Sequence, residues 1–244
     1  MLKTIEKLEQ DSINELWFLD DLKYNLCIHL SCLSSSKNES FGSIAVQKIG
    51  DSERIIGVGW NMYLGGITNM PRQGYCNHSE YQSLILAQVL GYDVSNSDIP
   101  IEIYSAGRLI KSNLLFLHHP KQPFSCTKCT TSIEKINKNI RIVTPSEGCG
   151  WLSTPLFQAH DSAKEFKKNG VKRDMSMNSC VPISTLNISK MQEKMDELVR
   201  NIEDSAIVID EVVKDMIFNQ YESLLTLSTQ ERRAYIENIF GSLL

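Results

Sequence analysis

No stretch of this chain stays apolar over a length that would span a bilayer. Its first residues, Met1-Leu2-Lys3-Thr4-Ile5-Glu6-Lys7, are charged and lack the apolar run of a secretory leader. These two absences predict a cytoplasmic protein with no membrane partner. Basic charge is also short: 25 Lys and Arg face 29 Asp and Glu, for a net charge of −4. That balance counts against a broad non-specific nucleic-acid binder, although it leaves room for a local basic groove. No internal repeat is present. The seven cysteines (27, 32, 76, 126, 129, 149 and 180) are odd in number and irregular in spacing. They read as reduced thiols, some buried and some available to a metal, rather than as a disulfide framework.

What is there is ordinary for a globular protein: 42% apolar and 22% charged residues over 244 positions. Such a chain is one large domain, or one domain with an appendage, and buries a core without staples.

Ile13, Leu16, Trp17, Leu22, Leu26 and Leu30 recur near helical spacing, which predicts a helix from Ser12 to Cys32. Two β-rich runs, Phe41 to Lys48 and Arg54 to Asn61, flank Gly50-Asp51-Ser52 and predict a hairpin. A loop from Gly65 to Gly74 leads to His78. The next helix is expected over Glu80 to Leu90, with Asn77 as its N-cap. Pro100 precedes a strand from Ile101 to Tyr104, and Leu114 to Leu117 is a second extended run. Ser125 is placed to cap a helix from Cys126 to Ile136, followed by a short strand, Ile140 to Val143. Ser162 to Lys168 reads as helical and stops at Gly170, with a further strand opening at Val171. The organisation expected is a domain over 1–175, a linker over 176–189 and a helical extension over 190–244. In that extension Ser228 and Glu231 form a capping box. The order of elements predicts an α/β chain in three layers, α-β-α.

The chemistry lies in two short motifs, Asn77-His78-Ser79-Glu80 and Cys126-Thr127-Lys128-Cys129. One imidazole and two thiols make a three-ligand set for Zn²⁺, and three protein ligands leave a fourth position open. Cys126 and Cys129 are one helical turn apart, so both sulfurs reach one ion. Helix N-termini and the metal both favour thiolate. Two thiolates with a neutral imidazole balance the charge of Zn²⁺. A carboxylate two residues past the imidazole, Glu80, is placed to move protons for a water at the open position.

His-x-Glu followed by Cys-x-x-Cys is the layout of zinc-dependent deaminases. At these residues the chain resembles the cytidine deaminase-like superfamily, and within it the deoxycytidylate deaminase branch. Ile55-Ile56-Gly57-Val58-Gly59-Trp60-Asn61 is similar to the family's second strand, which ends in a substrate-contacting Asn. Tyr75-Cys76-Asn77-His78-Ser79-Glu80 is similar to its zinc and acid/base motif. Lys168-Asn169-Gly170-Val171-Lys172 resembles the segment before a fifth strand parallel to the fourth. The resemblance spans roughly Phe18 to Lys172. It implies a mixed five-stranded sheet, zinc on His78, Cys126 and Cys129, acid/base chemistry at Glu80, and substrate contacts from Asn61 and the Ser79 backbone. It also implies hydrolytic deamination of a small cytosine nucleotide such as deoxycytidine monophosphate. Three departures stand out. Ser125 occupies the place where the family carries Pro, Ser79 the place where Ala is commoner, and the stretch from Ile101 to Pro123 is longer than one strand requires, implying an insertion near the site.

Several alternatives stay open at this level. Cys76 is a rival fourth ligand that would close the site as a structural zinc centre. Asn61 is also a plain strand end. His118 and His119 face the pocket or water, and Arg72, Arg108 and Lys111 hold a phosphate or are solvated. Trp60 reads as core, while Trp151 stacks on substrate or packs. Cys27, Cys32 and Cys180 read as ordinary thiols. A deaminase acting on single-stranded DNA or RNA is the second enzyme reading. Riboflavin-pathway deamination is disfavoured, because the C-terminal region lacks a Gly-rich dinucleotide signature. A third reading is a non-catalytic binding or assembly protein on the same zinc fold. Ile207, Val208, Val212, Val213, Ile217 and Phe218 are more apolar than a lone exposed helix needs. They are expected to pack on the domain or on a second copy, making a homo-oligomer.

Overall fold

The computed structural model of the chain describes residues 21–34, 39–63, 76–109, 114–116, 125–145, 150–168, 180–182, 197, 207–228, 231 and 234. The helix predicted from Ser12 to Cys32 is found in its second half only, as α1, Leu22–Ser31: extended backbone at Asp21 makes a helix start there, and residues 12–20 lie outside the described residues. Asp21 caps it, accepting from Tyr24 N at 2.7 Å. Nearly every α1 residue is buried, as befits a helix with an apolar girdle rather than a stripe.

The predicted hairpin is β1, Glu39–Ile49, and β2, Ser52–Trp60, paired antiparallel from Gly42 opposite Trp60 to Ile49 opposite Ser52. Gly50 makes the turn at φ 59°, a conformation that L side chains resist. Two short strands, β3 (Met62–Tyr63) and β4 (Cys76–Asn77), pair with each other apart from the main sheet. Then come α2 (Ser79–Val89), β5 (Ile101–Leu109), β6 (Leu114–Phe116), α3 (Thr127–Ile136), β7 (Arg141–Pro145), β8 (Trp151–Pro155) and α4 (Leu156–Lys168). The C-terminal part adds β9 (Cys180–Pro182), β10 (Ile207–Ile209), α5 (Glu211–Phe218) and α6 (Tyr221–Thr226). No helix among the described residues is long and apolar enough to cross a membrane.

The chain is α/β with a mixed sheet. Five strands were expected, and the described sheet has eight. Its path runs β10-β2-β1-β5-β6-β9, with β7 pairing β5 and β8. β5 forks along one edge. Its first half pairs parallel with β7, through Glu102 to Tyr104, and its end pairs antiparallel with β6, through Arg108 and Leu109. β8 runs antiparallel to β7. The strand expected from Val171, parallel to the fourth, lies outside the described residues. β8 carries little apolar alternation, which is why its sequence does not announce it. Cys180–Pro182, within the stretch read as a linker, is a strand on β6. The C-terminal stretch is not purely helical either, because Ile207–Ile209 joins β2 in parallel.

Both sheet faces are covered. On β1, Ile44 and Val46 belong to one core cluster and Ala45 to the other. The same alternation separates Ile55 from Ile56, Tyr104 from Ile103 and Val143 from Ile142. The first cluster is closed by α1 with Val213, Met216, Ile217 and Leu224 of α5 and α6. Leu84 and Ala87 of α2, Ile133 of α3 and Leu156 and Ala159 of α4 close the second. Each fully buried Leu or Ile contributes about 1.5–3 kcal/mol. The C-terminal apolar residues therefore pack on the domain: Ile209, Val213 and Ile217 are buried, while Val208 and Val212 stay exposed. Asp210 ties this segment down. Its Oδ1 accepts from Val212 N and Val213 N, and its Oδ2 accepts from the Tyr92 hydroxyl at 2.7 Å. Ser228 and Glu231 form the reciprocal hydrogen bonds of the predicted capping box.

Helix α2 lies on β2 with nothing between them. A Cβ added to Gly57 would sit 2.0 Å from Ser83 O, and one added to Gly59 would sit 2.4 Å from Ser79 O. Gly57→Ala should therefore destabilise the protein by about 2 kcal/mol or more, read from urea unfolding. Near the turn of the hairpin, Glu53 is held by Lys23 at 2.5 Å and by Lys48, and Lys48 also pairs with Glu102 at 3.1 Å. Burial raises the carboxyl of Glu53, but hydrogen bonds from Lys23 and Lys48 outweigh it and hold it below the usual range. A lowered folded pKa means stability that is present above the unfolded value, near 4.5, and lost as pH falls through the folded value. Glu53→Gln should flatten the acid limb of the stability–pH curve below about pH 4.5, measured by urea midpoints.

Candidate metal centre

Two helix starts converge to make the site. His78 is the N-cap residue of α2 (φ −86°, ψ 143°) and Cys126 that of α3 (φ −85°, ψ 163°). Neither forms a side-chain cap, so the imidazole and the thiol are left free to point into the gap between the helices. Two expected caps are thereby corrected. Asn77 ends β4 instead of capping α2. Ser125 precedes the N-cap of α3 and turns inward, 2% exposed, with Oγ 3.4 Å from Glu80 Oε1.

Cys126 Sγ lies 3.4 Å from His78 Nδ1 and 3.7 Å from Cys129 Sγ. The donor atoms of His78, Cys126 and Cys129 all fall within 4.8 Å of one another, a group that can hold a metal ion. Glu80 is buried at 5% exposure, with Oε2 3.7 Å from Cys129 Sγ, beside that group but not a member of it.

The protonation pattern follows from this crowding. A hydrogen bond from the Cys129 thiol and the neighbouring His78 lower Cys126 to about 3 despite its burial. Cys129 is pushed well up, by holding that proton, by burial and by the Glu80 carboxylate. Burial disfavours a charged His78, but its bond to Cys126 and the charge of Glu80 win and raise it. The surroundings thus favour thiolate at Cys126, thiol at Cys129 and the charged form of His78, and an ion taking all three ligands would compete with protons there.

A buried row of hydroxyls backs the carboxylate. Ser43 on β1 faces Gly59 on β2 and Ser105 on β5 in register. Because Gly59 lets the first turn of α2 touch the sheet, Ser79 Oγ reaches Ser43 Oγ at 2.7 Å, and Ser43 Oγ lies 2.9 Å from Ser105 Oγ. Ser79 Oγ is 3.3 Å from Glu80 Oε2. Each hydroxyl has one proton. If Ser79 donates to the carboxylate, Ser43 donates to Ser79 and Ser105 to Ser43, a chain polarised toward Glu80.

Asn61 and Ser79 were both expected to touch substrate, and the fold bonds them to each other. Asn61 Oδ1 accepts from Ser79 N at 3.1 Å, so it caps α2 from the end of β2. A ligand carbonyl aimed at that N–H competes with the Asn61 amide. Trp60 is core, 1% exposed. Trp151 packs edge-on against Tyr104, with centroids 5.0 Å apart, and donates from Nε1 to Asp21 Oδ2 at 2.9 Å, on the α1 side of the sheet. Cys27 donates to Tyr104 O and Cys32 to Ile28 O, as ordinary thiols do. Arg72, Lys111, His118 and His119 lie outside the described residues, as do the side chains of Cys76, Arg108 and Cys180.

Spacing alone gave no hint of Ser43, Ser105 or the inward turn of Ser125. The signal available for Ser43 was a polar residue at a buried position of an otherwise apolar strand. Ser43→Ala would leave Ser79 and Ser105 with one partner fewer inside the protein. It should lower stability by about 1–2 kcal/mol in urea unfolding while leaving the metal content of the protein unchanged. Comparison of the chain with protein-family models, curated proteins and solved structures finds no match.

Proposed function

We propose that this chain is a zinc-dependent hydrolase that deaminates a cytosine nucleotide, turning the ring to its uracil form and releasing ammonia. The observation that carries the reading is the meeting of His78, Cys126 and Cys129 at two helix starts with buried Glu80 alongside. The donor set suits zinc. A tetrahedral zinc with bonds of about 2.3 Å to sulfur and 2.0 Å to nitrogen separates its ligand atoms by roughly 3.8 Å (S–S) and 3.6 Å (S–N). The separations found here are 3.7 Å for Cys126 Sγ to Cys129 Sγ and 3.4 Å for Cys126 Sγ to His78 Nδ1.

Zinc bound there would supply Lewis-acid activation of a water at its open position. The protein's own part is orientation and proton transfer. Glu80, fixed between Ser79 Oγ and Ser125 Oγ, takes one proton from the attacking water and passes it to N3 of the base, then takes the second from the new C4 hydroxyl and passes it to the departing amino nitrogen. Water adds at C4 of the base, the C4–N bond breaks, and ammonia leaves. For the base carbonyl to reach the Ser79 N–H, the Asn61 amide that now accepts from it would swing aside and be freed to contact the substrate. The deaminase-like identity of the fold and the choice of deoxycytidine monophosphate both belong to this proposal. They rest on Gly57-x-Gly59-x-Asn61, His78-x-Glu80 and Cys126-x-x-Cys129.

Glu80→Ala should keep its zinc, measured by metal analysis, and lose at least about a hundredfold in ammonia release from cytosine nucleotides. Cys126→Ser and Cys129→Ser should lose the metal. Retention of zinc in Cys76→Ser is expected of an open site. Loss of zinc in that variant, or an active Glu80→Ala, would overturn the proposal.

A further inference from the structure

The chain is acidic overall, yet one face gathers cations. Between α3 and α4 runs an open groove of about 780 Å³, lined by Thr127, Lys128, Thr131 and Ser132 on α3 and by His160, Lys164 and Lys168 on α4. Among the described residues, no carboxylate lines it. The α4 residues are spaced by four, so they form one stripe along the helix, about 12 Å long from His160 to Lys168. Asp161 and Glu165 sit one residue further round α4, flanking the stripe rather than interrupting it. His160 is fixed in the groove wall by Thr130 Oγ1, 2.8 Å from its Nδ1.

A second, independent feature heads the same stripe. Phe157 is 59% exposed, more than any other large apolar residue among those described. Its spacing of three to His160 and seven to Lys164 puts it on their face of α4. An aromatic ring ahead of a row of cations and hydroxyls is what a nucleic-acid single strand requires. The bases need a stacking surface, and the phosphates need positive charge and hydroxyl donors. A flat duplex gives an exposed ring nothing to stack on, and a lone mononucleotide fills only one step of a stripe two helical turns long.

We propose that the α3–α4 groove binds the phosphodiester backbone of a single-stranded nucleic acid, with Phe157 stacking on a base. Thr127 and Lys128 directly follow Cys126, and the buried face of the same helix carries Cys129. A strand in the groove therefore runs within one helix diameter, about 10 Å, of the metal centre. That this adjacency serves catalysis rests on the deaminase reading, whereas the binding itself does not.

The test uses the full chain and a fluorescent oligothymidylate of about twelve nucleotides, which spans a typical single-strand site. Thymine carries no exocyclic amine, so binding is read apart from deamination, and failure of one reading leaves the other standing. Anisotropy titrations over a range of salt should show binding that weakens as salt rises. Lys164→Gln/Lys168→Gln should weaken it about tenfold and reduce the log–log salt slope by about 1.4, the value for two lost phosphate contacts on a single strand. Phe157→Ala should weaken binding about fivefold with the slope unchanged. Lys214→Gln, on α5 across the sheet, should stay within about twofold of the unaltered protein. Three results would overturn the proposal. They are no binding by the unaltered chain, a double variant that matches it in affinity and slope, or displacement by a mononucleotide at the same phosphate concentration as by unlabelled oligomer.

Discussion

Helix α2 rests on β2 backbone to backbone, because Gly57 and Gly59 leave no side chain in the way of Ser83 and Ser79. That contact sets the height of α2 above the sheet, and the metal centre inherits it. Were α2 lifted by a methyl group, Ser79 Oγ would lose Ser43, Ser79 N would leave Asn61, and His78 would move off Cys126. α3 comes to the same place from the other side, through Ile133 in the shared core cluster. Precision at the ligands is thus built from packing several residues away, which is how rigid elements hold a site more tightly than loops do.

The centre is electrostatically frustrated without an ion. Two sulfurs lie in hydrogen-bond contact, the neighbours of the imidazole favour its charged form, and a buried carboxylate lies against them. Such a cluster gains little by itself, since each charge is partly desolvated. A divalent cation bound there would replace protons, so the affinity of this group for a metal would depend on pH. Ser79 and Ser125 both point at the carboxylate. They are one local environment.

Much of the frame was legible because the signals were local. The hairpin follows from two β-rich runs around Gly50, and the starts of α2 and α3 were placed to within a residue or two of His78 and Cys126. The ligand group was legible because metal chemistry restricts both residue type and spacing. Three-residue strands such as β9 and β10 were not, since they carry no period long enough to read and are held by partners far along the chain. The capping role given to Ser125 failed for a related reason. Its side chain answers to Glu80 in space and not to its own helix in sequence. The cationic stripe of α4 was visible as letters, but only the fold set it opposite the hydroxyls of α3.

β10 has a bearing on how the chain comes to be folded. Ile209 pairs in parallel with Ile55, and the helices that follow close the core over α1. Parallel pairing between such distant residues forms late, because loop closure comes before any contact rewards it. While the polypeptide is still emerging from the ribosome, one edge of β2 is bare and the α1 side of the sheet is only partly roofed. The stretch from Ile207 to Thr226, translated after the strands it covers, is thus the one that shields that apolar surface from other chains.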